Sequence, residues 1–231
     1  MQLQQAQVSQ APADQAVRQR IISAAREHFL AHGFHNVTMD DLADELGMSK
    51  KTIYAHFPSK TALVEAMLLD KFRCVEEEMA AITSECSGEF LAGLHRLLAC
   101  VQRHTEEIRS PFVRDLQRDA PELFKGVVQA RRREVIQRHF GKLLGEGRRE
   151  GLIRKDISVH LIIEILLGAV EAIVNPPRLA ELDLSPKSAV TAIISMILTG
   201  ALTPEGRTKY DGLQGNARKV KGGRDVLPER Y

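Results

Sequence analysis

The chain has 231 residues, 44% of them hydrophobic, and a formal net charge of +2 at pH 7. This composition supports a sizeable core and excludes a uniform polycation, so any nucleic-acid-binding surface has to be a local basic patch. No window has the pattern of a signal peptide. The three cysteines, Cys74, Cys86 and Cys100, are odd in number and scattered, which favours reduced thiols in a cytoplasmic chain over a disulfide framework.

Apolar residues recur at helical spacing along most of the chain, and this pattern predicts an all-α fold. Residues 1–13 are polar and rich in Gln and Ala, so we expect a disordered leader there. A first helix is predicted over 14–32. Gly33 follows it where a left-handed cap residue is expected.

Three helices are predicted in close succession after this first one. Thr38 is the expected N-cap of the first, with Asp41 three residues on, and Gly47 ends it. Ser49 caps a very short helix that Pro58 terminates. Ser59 caps the third, which runs towards Met79.

The remaining helices are predicted at 88–108, 110–118, 121–150, 158–174 and 186–202. The last two are apolar nearly all round yet shorter than the ~20 residues of a membrane span, so a partner subunit is the expected cover and no membrane is involved. The predicted division is a leader (1–13), a helix-turn-helix domain (14–72), a larger helical dimerisation domain (73–205) and a disordered polar tail (206–231).

The segment from Thr38 to Phe57 carries the strongest functional signal. Two short helices meet at a tight turn, and the small Ala43 suits their close approach. The apolar side chains expected inside are Leu42, Leu46, Met48, Ile53 and Phe57. The polar side chains left outside are Ser49, Lys50, Lys51, Thr52, Tyr54 and His56. Hydroxyl and ammonium groups at the amino end of a short helix suit phosphates and base edges.

This segment resembles the amino-terminal domain of the TetR family of bacterial transcriptional regulators. The resemblance covers Arg18 to Phe72 and rests on the G-x-x-x-x-T opening from Gly33, the A-x-x-x-G-x-S turn from Ala43, the T-x-Y-x-H-F helix from Thr52, and Lys60. It implies a homodimer that places two recognition helices about 34–36 Å apart, or a multiple of this, on a palindromic operator in double-stranded DNA.

The resemblance also implies roles for individual residues. Thr38 and Lys60 would bind phosphates, and Ser49 would cap the recognition helix. Base edges would be met by Lys50, Lys51 and Thr52, whereas Tyr54 and His56 would lie against the DNA backbone.

The resemblance implies that the second domain, 73–205, is also ligand-binding, and that a small-molecule effector bound there releases a repressor from its operator. The expected pocket residues are apolar and favour a hydrophobic effector: Leu94, Leu98, Phe112, Leu116, Phe124, Val128 and Ile165. The expected dimer interface comprises Leu161, Ile165, Leu167, Val170, Val174, Ile193 and Ile197. The alternative is a DNA-binding module without a small ligand, controlled by a protein partner or acting as an architectural factor.

Two other pairs of titratable residues have both a functional and a structural interpretation. His28 and His32 lie one helical turn apart, but a helix-end role is favoured over metal binding. Glu164 and Glu171 share a helix face without a nucleophile nearby, so an interface or ligand contact is favoured over catalysis. We therefore expect no enzymatic activity, no metal and no cofactor.

Overall fold

The computed structural model describes residues 2–107 and 110–212. The helices are, in chain order, α1 (Gln2–His32), α2 (Met39–Leu46), α3 (Lys50–His56), α4 (Lys60–Glu85), α5 (Phe90–Glu107), α6 (Ser110–Asp119), α7 (Pro121–Leu123), α8 (Ala130–Arg149), α9 (Val159–Ile173), α10 (Pro176–Glu181) and α11 (Pro186–Ala201). A last helix, α12, covers 204–212. In these ranges no strand forms, and the backbone bridge between Ile153 and Leu202 is isolated. The all-α prediction is confirmed.

Several helices differ from their predicted bounds. Helix α1 begins at Gln2 and includes the expected leader, because Gln and Ala are good helix formers, although Pro12 lies inside it. Helix α4 continues past Met79 to Glu85. The helix predicted over 121–150 is divided by a π-helical stretch, Phe124–Gln129, between α7 and α8.

The carboxy-terminal part of the chain also holds helices that the pattern did not predict. Helix α10 follows α9 after a short break. Helix α12 occupies the first residues of the expected disordered tail, and the rest of that tail, 213–231, lies outside the described residues.

The chain forms two compact units, and the first comprises Met1–Glu78 and Arg103–Val135. Its core joins α1, α2, α3 and α4 to α6 and the residues after it. Phe29 of α1 and Phe112 of α6 are buried with ring centroids 6.5 Å apart. Leu116, Phe124 and Val128 belong to the same core. The predicted division after residue 72 differs from this unit, because it would assign α6 to the second domain.

The second unit comprises Met79–Gln102 and Ile136–Tyr231. Helices α9 and α11 pack against each other and bury one face of each. The backbone N–H of Thr203 donates to the Leu152 carbonyl at 2.9 Å, and this bond anchors the start of α12. Gly206 is needed there, since a Cβ at this position would overlap the Leu152 carbonyl oxygen.

Among the helices of residues 2–107 and 110–212, none has the length and apolar character that crossing a bilayer requires.

Candidate nucleic-acid interface

The interface begins at the amino end of α2, where Thr38 is the N-cap. Its backbone is extended (φ −109°, ψ 164°), and its Oγ1 accepts a hydrogen bond from the Asp41 N–H at 3.1 Å. In return, the Thr38 N–H donates to Asp41 Oδ2 at 2.8 Å. Hydrogen bonds from the Thr38 hydroxyl and backbone hold the pKa of Asp41 below its ordinary value. The predicted cap is confirmed as a reciprocal capping box.

The turn between α2 and α3 depends on Gly47, which is left-handed (φ 60°, ψ 33°). The following N–H, that of Met48, donates to the Ala43 carbonyl at 2.9 Å and closes the end of α2. A side chain at this φ would be strained, so glycine allows the chain to reverse within a few residues. Ala43 is buried where the two helices approach, which confirms the expected packing.

The short helix α3 is fixed from both ends. Ser49 is its N-cap, and its Oγ accepts from the Thr52 N–H at 3.1 Å. The Ser49 and Thr52 hydroxyl oxygens also lie 2.8 Å apart and share a hydrogen bond. Ile53 and Phe57 are buried beneath the helix. The outward face of α3 is therefore held rigidly.

Three of the side chains proposed for DNA contacts project outward from α3. Lys50 and Lys51 are exposed, and the Tyr54 side chain is 47% exposed. The Lys50 Nζ lies 2.6 Å from Asp40 Oδ2. For Lys51 the described part of the chain shows no hydrogen bond or ion pair, so its ammonium group is open to a ligand.

The carboxy end of α3 is more enclosed than expected. The His56 side chain is half-buried, and its Nε2 lies 3.7 Å from Asp14 Oδ1 of α1.

Two arginines of α1 lie close to the helix-turn-helix, and the sequence pattern assigned neither of them a role. The Arg18 guanidinium lies 5.0 Å from the centroid of the Phe57 ring, and Arg20 donates to the Leu46 carbonyl at 3.1 Å. Both place positive charge beside the helix-turn-helix.

Lys60 begins α4, as expected, but its side chain turns toward the protein. Its Nζ donates to the His35 carbonyl at 3.3 Å and lies 4.5 Å from the centroid of the Phe34 ring. Burial lowers the pKa of Lys60, whereas Asp119 and Asp115 oppose this effect. A phosphate contact by Lys60 thus requires the ammonium group to leave these partners.

The loop before α2 is also held by α6, which sequence reasoning did not foresee. The His35 N–H donates to Asp115 Oδ2 at 3.3 Å, and the His35 Nδ1 lies 3.3 Å from Asp119 Oδ2. A hydrogen bond from Arg118 lowers the pKa of Asp119 to about 2, and His35 adds to this effect. His35 and Asp115 are 80 residues apart in the sequence, so no local pattern could indicate their contact.

The structure does not gather the expected pocket residues into one set. Four of them lie in the core of the first unit: Phe112, Leu116, Phe124 and Val128. Leu94 is buried and Leu98 half-buried in the second unit, where Ile165 is 50% exposed.

The expected interface residues also divide by exposure. Leu161 and Ile165 are exposed on α9, and Val174 and Ile197 are half-buried. Three others are buried within the second unit itself and offer no surface to a partner: Leu167, Val170 and Ile193. Met196 of α11, which was not predicted, is the most exposed large hydrophobic side chain among the described residues.

The paired histidines, Glu164 and the cysteines have ordinary structural surroundings. His28 forms an ion pair with Glu45, and its ring lies 5.6 Å from that of His32. The Gln137 side chain donates to Glu164 at 3.1 Å. Cys74, Cys86 and Cys100 are not joined in a disulfide, and the last two are buried.

Comparison with known proteins gives the same assignment for the amino-terminal region. Residues 21–67 match the family model for bacterial regulatory proteins of the tetR family. The chain is 26% identical over 206 residues to the HTH-type transcriptional regulator UidR of Escherichia coli (strain K12), covering 81% of this chain and 95% of UidR.

Two further proteins are similar over much of their length. The HTH-type transcriptional repressor KstR2 of Mycolicibacterium smegmatis is 24% identical over 156 residues, which cover 64% of this chain and 73% of KstR2. The crystal structure of a TetR-family transcriptional regulator from Agrobacterium tumefaciens superposes with a TM-score of 0.62 at 18% identity, covering 82% of this chain and 100% of that one.

Together, the capped helix-turn-helix and the larger helical region define a DNA-binding transcriptional regulator. Its residues 21–67 carry the amino-terminal domain of the tetR family of bacterial regulatory proteins, and a solved structure of that family shares its fold.

Proposed function

We propose that this regulator represses transcription by inserting α3 into the major groove of a palindromic operator, and that a small apolar ligand releases it. The observation that carries the proposal is the outward face of α3, where Lys51 and Tyr54 project from a helix fixed by the Ser49 cap. Base edges in the major groove offer acceptors to the Lys51 ammonium group, and Tyr54 would lie against the DNA backbone. Thr38 and Lys60 supply the phosphate contacts at either side.

Lys51 gives the sharpest test of this proposal. A genome-wide footprint of the purified protein first identifies the operator. We then expect Lys51→Ala to cost ~1–3 kcal/mol of operator binding and to relax the sequence preference. Lys155→Ala, an exposed lysine in the second unit, is the matched control. Equal effects of the two variants would exclude Lys51 from base recognition.

The proposed repression is tested with the operator upstream of a reporter gene. Repression predicts high expression without the regulator and low expression with it. The similar protein KstR2 is named a transcriptional repressor, which supports repression over activation. Higher expression in the presence of the regulator would identify an activator instead.

The proposed dimer uses an apolar surface on the second unit. Leu161 and Ile165 lie four residues apart on α9 and are each 50% exposed, and Met196 is exposed on α11, which packs against α9. Large apolar side chains exposed on adjacent helices are typical of a protein–protein contact. A second copy of the chain would cover them and set the distance between the two α3 helices.

The proposed effector site lies in the second unit, and His139 of α8 supports it. This side chain is buried, and its Nε2 has no hydrogen-bond partner among the described residues. Burial lowers the pKa of His139, and the nearby Arg138 and Lys142 add to this effect, so the neutral imidazole is favoured. A ligand with an apolar body and one uncharged polar group would satisfy it.

Paired ligands test this effector class. Biphenyl and 4-phenylphenol differ by one hydroxyl group, and we expect the phenol to raise the melting temperature and release the operator at the lower concentration. His139→Phe is expected to remove this difference. If neither compound nor a wider apolar panel acts, the chain fits the alternative of a regulator without a small ligand.

A further inference from the structure

A carboxylate of α2 lies beside the first lysine of the recognition helix. Asp40 is in the first turn of α2 and Lys50 is the first residue of α3, and their side chains meet across the turn at 2.6 Å. Both side chains are more than half exposed, so the ion pair is at the surface and not in the core. It lies on the part of the molecule to which we assign DNA binding.

A second carboxylate contributes to the same environment. Asp44, one turn further along α2, is also exposed, and its charge favours the ammonium form of Lys50 without a hydrogen bond to it. The hydrogen bond from Lys50 goes to Asp40. The two carboxylates therefore differ in one respect, which is direct contact with the lysine.

The three lysines assigned to DNA are consequently not equivalent. Lys60 is bound to the His35 carbonyl, and Lys50 is bound to Asp40. A DNA phosphate that approaches Lys50 has to displace the Asp40 carboxylate and meets the repulsion of its negative charge. An ammonium group has three N–H donors, however, so Lys50 can keep Asp40 and still donate to neutral acceptors such as O6 and N7 of guanine.

We infer that Asp40 is a specificity-determining residue that positions Lys50 for a base edge and withholds it from phosphates. This inference rests on the proposed insertion of α3 into the major groove. On random DNA, Lys50 contributes little, because its ammonium group is held by a carboxylate. On the operator, the same carboxylate keeps the ammonium group in the orientation in which it reads a base.

The test compares Asp40→Asn with Asp44→Asn. Both substitutions remove one negative charge from α2, but only the first removes the partner of Lys50. Affinities for the footprinted operator and for a random duplex are measured over a range of salt concentrations, with the helical content of each variant checked by circular dichroism. Asp40→Glu, which retains a carboxylate, is the conservative variant, and Lys50→Met supplies the background for a double-mutant cycle.

We expect Asp40→Asn to tighten random-DNA binding more than Asp44→Asn does, and to steepen its salt dependence by about one unit as one more phosphate is neutralised. The ratio of operator to random affinity is expected to fall about tenfold. Asp40→Glu should restore the ratio, and in the Lys50→Met background the difference between Asp40→Asn and Asp44→Asn should vanish.

Two results would overturn the inference: equal effects of Asp40→Asn and Asp44→Asn, or an excess effect of Asp40→Asn over Asp44→Asn that persists without Lys50. Failure of the underlying proposal would look different. In that case the unmodified protein would show no preference for any duplex, or Lys51→Ala would leave its preference unchanged.

Discussion

The Nζ of Lys60 lies 4.5 Å from the centroid of the Phe34 ring and donates to the carbonyl of the next residue, His35. The lysine that the family resemblance assigns to a phosphate is thus part of the packing around the loop before α2 in the DNA-free protein. A cation over an aromatic face contributes about 0.5–1 kcal/mol when exposed. Lys60 therefore has two roles that mutagenesis can separate.

Lys60→Met is expected to weaken binding to all DNA sequences about equally and to lower the salt slope by roughly one, because one phosphate contact is lost. The methionine keeps an apolar stem against Phe34, so the melting temperature should change less than in Lys60→Ala. Fluorescence anisotropy with random and operator duplexes at several salt concentrations measures both effects. An unchanged salt slope would show that Lys60 stays with His35 on DNA.

Ile165→Glu is expected to convert the proposed dimer into monomers, since it places a charge among the exposed apolar side chains of α9 and α11. Leu182→Glu is the matched control, because Leu182 is equally exposed and lies outside those two helices. Leu167 is unsuitable for this purpose, as it is buried within the unit and Leu167→Glu would damage the fold. Sedimentation velocity distinguishes the variants, and dissociation by Leu182→Glu alone would relocate the interface.

Asp119 is expected to make stability depend on pH in the acid range. Its pKa is lowered from 3.8 to about 2 by the hydrogen bond from Arg118, with a smaller contribution from His35. A carboxyl with a lowered pKa in the folded state stabilises the protein above pH 4, and this contribution is lost as the pH falls from about 4 to about 2. Urea unfolding of the protein and of Asp119→Asn should therefore differ at pH 6 and converge near pH 2. A gap that stays constant over this range would argue against the assignment.

Gly206→Ala is expected to destabilise the second unit by about 1–3 kcal/mol or to detach α12, because its Cβ would overlap the Leu152 carbonyl oxygen. Gly212→Ala, in the same helix, has open space around the new Cβ and should be neutral. Thermal unfolding measures the difference. Equal melting temperatures for the two variants would mean that α12 is not held against Leu152.

The helix-turn-helix could be predicted because its determinants are local. Thr38 and Asp41 are three residues apart, and Gly47 and Ser49 act on the backbone next to them, so each motif carries its own geometry. The outer face of α3 followed from the same spacing. The positions of the Lys50 and Lys60 ammonium groups did not, because Asp40 and His35 reach these lysines across a turn or a loop.

The second unit was less predictable for a different reason. Helix α9 is apolar nearly all round, and a helix of this kind gives no sign of which face is covered by its own chain. Leu161 and Leu167 were therefore assigned alike, whereas the structure exposes the first and buries the second. The contribution of α6 to the first unit was equally hidden, since it depends on contacts between distant segments.

The packing of α6 against α1 has a consequence for how the protein is made. Phe29 and Leu42 emerge early from the ribosome, but the core that buries them includes Phe112, Leu116 and Val128. Contacts between segments so far apart in sequence form late, and until then the apolar surface of the nascent helix-turn-helix stays uncovered. A growing chain cannot complete its first unit before Arg103–Val135 has been synthesised, so termination ahead of this segment should yield an aggregation-prone fragment and not a smaller DNA-binding protein.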